Sequence, residues 1–247
     1  MRVFLRGGIF FFLSLASSSS QSENDDLLLA QGFYDPSRQQ GYTLLKKEQA
    51  VSYPLYLHQD TESAFEAMRL EAKKKGIQLR IISATRSFEQ QRKIWESKYT
   101  KLKQNSPHLE EEEIVKKILR YSAPPGASRH HWGSDIDITF GNILPQNALE
   151  NESWKKGEGK RVYEWLNQNA PRFGFCQPYR GSPQNRRPGY SEGHEEESWH
   201  WSYKARALSF MRLFETKFPI RGDFSGKKHV QKYVREYFFN VHPDCLD

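Results

Sequence analysis

Six residues near the middle of the chain, Asp135 to Phe140, alternate strictly: Asp135, Asp137 and Thr139 on one parity, Ile136, Ile138 and Phe140 on the other. A period of two predicts a β-strand with one apolar face, and it puts Asp135 and Asp137 together on the opposite face. Upstream lies Ser128-Arg129-His130-His131-Trp132-Gly133-Ser134, cut off from the preceding chain by Pro124-Pro125-Gly126. His130 then stands just before the strand and Asp137 within it. Some sixty residues on, Glu197-Ser198-Trp199-His200 opens a second predicted strand running to Tyr203.

Two histidines and a carboxylate can hold a metal ion, and one more carboxylate can serve beside it as a base. A catalytic zinc takes three protein ligands and keeps one position open. A structural zinc site prefers thiolates, and the chain has only 2 Cys. A histidine with an aspartate seven residues later is by itself a weak signal. His131 and Asp135 offer the same chemistry one and two positions away. If 197–203 is a regular strand, Glu197 and His200 point to opposite faces, so joining them needs a bulge or turn near Ser198.

The rest of the chain supplies a frame. Arg2 and Arg6, the apolar run Ile9 to Ala16 and the serines Ser17 to Ser20 have the form of a secretory signal peptide, expected over 1–21. The apolar run is too short to span a bilayer. Residues 22–59 read as a linker and N-terminal arm with a short strand near 41–45. A helix follows from Thr61, with Phe65, Met68 and Ala72 on one face and Gly76 beyond its end. The strand Ile77 to Ser83 delivers Arg86 to a turn before a helix capped by Ser87 and running through Trp95. Residues 101–122 read as a helical insert with an acidic first turn and a solvated charged face. Residues 177–193 read as a long exposed loop, and His194, Glu195 and Glu196 just after it read as loop residues that are near neighbours of the second motif only in sequence. Two helices end the chain.

Aromatic residues make up 14% of the sequence, enough for a substantial core, while the 37% apolar fraction suggests long solvated loops. The formal charge of +7 suits a polyanionic wall or membrane surface. No stretch interleaves clustered Lys and Arg with aromatics as nucleic-acid motifs do, so no nucleic-acid partner is expected. Export would let Cys176 and Cys245 pair; their spacing alone leaves pairing and free thiols equally open.

Three ordered motifs resemble the VanY-type D-alanyl-D-alanine carboxypeptidases, zinc enzymes of the group that includes lysostaphin-type peptidases and the hedgehog domain. Ser128, His130, Gly133 and Asp137 match Ser-x-His-x-x-Gly-x-Ala-x-Asp, with Asp135 in place of the alanine. Glu197, Trp199 and His200 match the second signature. Arg86, Ser87 and Gln91 match an upstream Tyr-Arg-Ser-x-x-x-Gln, with Thr85 in place of the aromatic. The resemblance covers roughly 60–205 and leaves 206–247 as a C-terminal helical extension.

It implies an α+β fold in which a small antiparallel sheet carries a zinc site and is packed by helices. It implies one Zn2+ held by His130, Asp137 and His200, with Glu197 as general base and then acid. Arg86 would stabilise the oxyanion, and Ser128 and Gln91 would bind substrate. The implied substrates are peptidoglycan stem peptides, most of all their D-Ala-D-Ala ends, met in the periplasm or cell envelope. Alternatives on the same scaffold are a cell-wall endopeptidase, an L,D-carboxypeptidase or a non-catalytic zinc-containing wall-binding module.

Overall fold

Alternation in the sequence becomes two unlike faces in the fold. A computed structural model of the chain describes residues 24–246 except 142, 144 and 217, so the expected signal peptide lies outside the described residues. A short helix over 24–30 leads to strands β1 (Tyr42–Leu44) and β2 (Tyr56–His58), which pair antiparallel. Then come α1 (Gln59–Lys74), β3 (Leu79–Ser83), α2 (Phe88–Asn105), α3 (Glu111–Leu119), β4 (Asp135–Phe140) and α4 (Gly157–Asn169). The chain closes with β5 (Phe175–Cys176), β6 (His200–Tyr203), α5 (Lys204–Thr216) and α6 (Lys227–Phe239). Strands β3, β4, β6 and β5, in that spatial order, form one antiparallel sheet. The architecture is therefore the expected α+β.

The helices follow their apolar stripes. In α1, Phe65, Met68 and Ala72 are buried together with Thr61; the cap is His58, whose Nδ1 accepts the Asp60 N–H. In α2, Ser87 and Gln90 form a reciprocal capping box. That helix runs well past Trp95 because Tyr99 and Leu102 continue the stripe at i+4 and i+7. The charged face of α3 is not simply solvated. Glu111 meets Lys228 at 3.0 Å and His229 at 3.1 Å, while Glu112 meets Lys232 at 2.9 Å and the Tyr233 hydroxyl. These contacts dock the insert onto α6.

Ile136, Ile138 and Phe140 join one apolar cluster with α1, α4 and β3. A second cluster gathers Trp95, Trp132 and the faces of α3, α5 and α6. The polar face of β4 lies between them. Phe210, Phe214 and Phe238 surround Trp132, so the C-terminal helices form part of the support beneath the His130 turn.

The segment 177–193 is anchored rather than loosely exposed. Arg186 is 3% exposed and donates to the carbonyls of Arg180, Gly181, His194 and Asn240. A planar cation with five donors satisfies several loop carbonyls at once, which composition could not show. Cys176 and Cys245 form a disulfide, with Cα atoms 5.5 Å apart, tying β5 to the chain beyond α6. Replacing both by Ala should lower unfolding free energy by about 2–5 kcal/mol in a denaturant titration. An unchanged midpoint would show the crosslink to be energetically idle.

Candidate active site

The site is built across two neighbouring strands. In the β4–β6 register Asp137 lies directly opposite His200 and Asp135 opposite Ser202. On the other side of β4, a register shift between Ile81 and Ser83 sets Ser83 opposite Asp137, and Arg86 follows on the turn into α2. His130 enters from a single 3-10 turn, Arg129–Trp132. Gly133 ends that turn at φ +69°, where a Cβ would lie 2.5 Å from the Tyr42 ring. Both conformation and space require glycine there.

His130, Asp137 and His200 bring one ligand atom each to within 4.8 Å of one another, all buried. The tautomers follow from their partners. A carbonyl oxygen only accepts, so His130 donates Nδ1–H to Ala84 O at 2.8 Å and turns Nε2 toward Asp137, 3.4 Å from Oδ2. His200 Nε2 lies 2.8 Å from Asp135 Oδ2, which leaves Nδ1 on the cluster side, 3.4 Å from Asp137 Oδ1. Asp137 Oδ1 is buried and has no hydrogen-bond partner among the described residues. A buried carboxylate oxygen with no hydrogen bond, 3.4 Å from His200 Nδ1, is what a cation would satisfy. Two nitrogens and one oxygen also suit zinc.

Charges around the cluster are balanced internally. Burial pushes the Asp137 carboxyl upward, but His130, His200 and Arg86 outweigh it and hold the group well below the usual carboxylate range. Burial lowers His130, reinforced by Arg86. Burial also opposes charge on His200, yet hydrogen bonds to Asp135 and Glu197 raise it to about 9.

Glu197 lies outside the strand. The Glu197 carbonyl accepts the His200 N–H at 3.2 Å, closing a turn that brings Glu197 Oε2 to 3.0 Å from His200 Nδ1. Strand β6 therefore begins at His200, not at the predicted Glu197. Asn151 and Gln177 hold the turn: Asn151 Oδ1 accepts from Ser198 N and Oγ, and Gln177 donates to Glu197 O. Sequence reading missed both residues, since neither carries a motif.

Arg86 donates to Asp137 Oδ2 at 3.0 Å, Gln91 Oε1 at 2.9 Å and Ser83 Oγ at 3.0 Å. Gln91, 1% exposed, also donates to Ala123 O and so stands behind Arg86. Arg86 and Ser128 line a cavity of about 390 Å³ together with the three clustered residues and Glu197. Tyr179, His194, Trp199 and Lys98 complete much of its wall. Lys98 follows Gln91 by seven residues on α2 and donates to Tyr121 O at 3.1 Å; burial lowers its pKa. His131 points elsewhere, donating to Arg86 O and accepting from Gly126 N–H.

His194 is 3% exposed and donates Nδ1–H to Leu119 O at 2.7 Å. Burial lowers its pKa to about 3. An unfolded histidine takes a proton below about 6.5, so the stabilisation is full above that pH and is lost as pH falls toward 3. Between pH 6.5 and 5 the loss amounts to about 2 kcal/mol. His194→Gln should remove that share of the acid destabilisation in denaturant titrations at the two pH values; an unchanged difference would refute the assignment.

The sequence model of the VanY D-alanyl-D-alanine carboxypeptidase family matches residues 54–206, and the chain belongs to that family. An uncharacterized protein of Haemophilus influenzae is 36% identical over 81 residues, 31% of this chain and 57% of that one. A D-alanyl-D-alanine carboxypeptidase of Enterococcus faecalis is 27% identical over 144 residues, 58% of this chain and 44% of that one. The chain spans about half the length of the curated relatives it matches. Among solved structures, the LdcB LD-carboxypeptidase superposes with a TM-score of 0.51 at 19% identity, covering 81% of this chain and 80% of the other. That likeness is one of fold.

Proposed function

We propose that this protein is a zinc-dependent carboxypeptidase that removes the terminal residue of peptidoglycan stem peptides, with D-Ala-D-Ala ends as its substrate. The observation that carries the reading is the convergence of His130, Asp137 and His200 around an unpartnered Asp137 oxygen, with Glu197 alongside. Family membership supports the reaction class. Residues 60–205 would form the catalytic domain, with 206–247 packed on it as a helical extension. The sequence of the first 21 residues and the wall-derived substrate together favour action outside the cytoplasm.

His130 Nε2, the Asp137 carboxylate and His200 Nδ1 would hold a single Zn2+. When bound, the ion supplies Lewis acidity toward water and the scissile carbonyl. Glu197 takes the proton from the attacking water and returns it to the departing amine. Arg86 has three of its five N–H groups in the bonds to Asp137, Gln91 and Ser83; the remainder can face oxyanion charge from the cavity wall. Gln91 orients Arg86, and Ser128 contacts substrate from the wall. Lys98 is a cation on the same wall with donors to spare, suited to a terminal carboxylate.

The test is product analysis on defined stem peptides. Release of D-Ala from a free-acid D-Ala-D-Ala peptide, with little cleavage of the corresponding C-terminal amide, is the expected result. Equal cleavage of the amide, or cleavage at an internal bond, would favour an endopeptidase. Release only from tetrapeptides ending in one D-Ala would favour the L,D-carboxypeptidase. Zinc binding without turnover on any of them would favour the wall-binding module, against which the presence of Glu197 and Arg86 argues.

A further inference from the structure

Asp135 occupies the position of the signature alanine, and its surroundings are built around a carboxylate. The residue is 0% exposed. Its Oδ2 accepts from Arg129 Nε at 2.9 Å and His200 Nε2 at 2.8 Å. Its Oδ1 accepts from Ser134 Oγ at 2.6 Å and Ser202 Oγ at 2.8 Å. Arg129, 2% exposed, also donates to Ser202 Oγ at 2.7 Å and lies 4.8 Å over the Trp132 ring. Alanine here would leave a buried guanidinium unpaired and the His200 Nε2–H without its acceptor. Asp135 is a poor rival ligand, because donors already engage both of its oxygens, whereas Asp137 retains an unpartnered one.

We propose that Asp135 is the positioning residue for the metal ligand His200, locked in place by Arg129, Ser134 and Ser202. Accepting Nε2–H fixes the imidazole rotation so that Nδ1 faces His130 and Asp137. Outer carboxylates of this kind orient ligating histidines and strengthen their binding. The inference rests on the metal site proposed above.

Zinc affinity, measured by competition with a chromogenic chelator, and the visible spectrum of the cobalt(II) form test it without reference to turnover. Wild type should bind one zinc ion and His130→Ala should not; failure of that pair sinks the metal site itself. Asp135→Ala combined with Arg129→Met removes both buried charges, so its fold is not burdened by an orphan cation. Zinc affinity in that variant should fall about 10–100-fold, with an altered cobalt spectrum. Asp135→Asn, which keeps an acceptor for Nε2–H, should lie closer to wild type. Wild-type affinity and spectrum in the folded double variant would overturn the inference. Should the double variant not fold, 15N NMR of the zinc-loaded wild type decides. A metal-shifted Nδ1 with a proton on Nε2 of His200 supports the assignment, and the reverse pattern defeats it.

Discussion

Glu197→Gln should lower kcat on a D-Ala-D-Ala peptide by about 10²–10⁴-fold while zinc still binds. Glutamine preserves the length and the polar contact of the side chain but cannot take a proton. Glu197 is not one of the three clustered ligand residues, so metal content should stay near one ion per chain. The turn that presents it is held by backbone and by Asn151 and Gln177, none of which depends on its carboxylate. Steady-state kinetics with metal analysis on the same sample separates the outcomes. Near-wild-type kcat would remove Glu197 from proton transfer; loss of metal would make it a ligand.

Removing zinc with a chelator should abolish hydrolysis yet leave the fold intact, and adding zinc back should restore activity. Internal charge balance is the reason. Without the ion, the Asp137 carboxylate still has Arg86 at 3.0 Å and His200 at 3.4 Å, and a protonated His200 is flanked by Asp135 and Glu197. Asp137→Ala is the contrasting case. It strips Arg86 and the two histidines of their shared anion, and breaking a buried pair from one side costs about 3–5 kcal/mol. Circular dichroism and thermal melts of chelated wild type and of Asp137→Ala should therefore diverge. Collapse of the chelated wild type would show that the ion is structural.

The histidine-to-aspartate spacing, the alternation of β4 and the Ser87 cap of α2 are local, and they could be read directly from residue order. Motif register likewise selected His130 over His131, and the structure brings His130 to the cluster while His131 bonds to backbone. The relation of Glu197 to His200 was not local. Strand periodicity set them apart, and only a turn pinned by Asn151 and Gln177, from distant segments, reunites them.

Residue order by itself determined which side chains are available for chemistry, which strand face carries them and which family they belong to. Tertiary structure alone decided what surrounds each of them. Two carboxylates on one face of β4, Asp135 and Asp137, are alike to strand periodicity. They differ because Arg129, Ser134, His200 and Ser202 fill the oxygens of the first, while the second keeps one oxygen without a hydrogen bond, 3.4 Å from His200 Nδ1. The proposed ligand and its proposed support are distinguished by which donors the fold delivers to each oxygen, and Ser202 and His200 reach Asp135 from a strand more than sixty residues away in sequence.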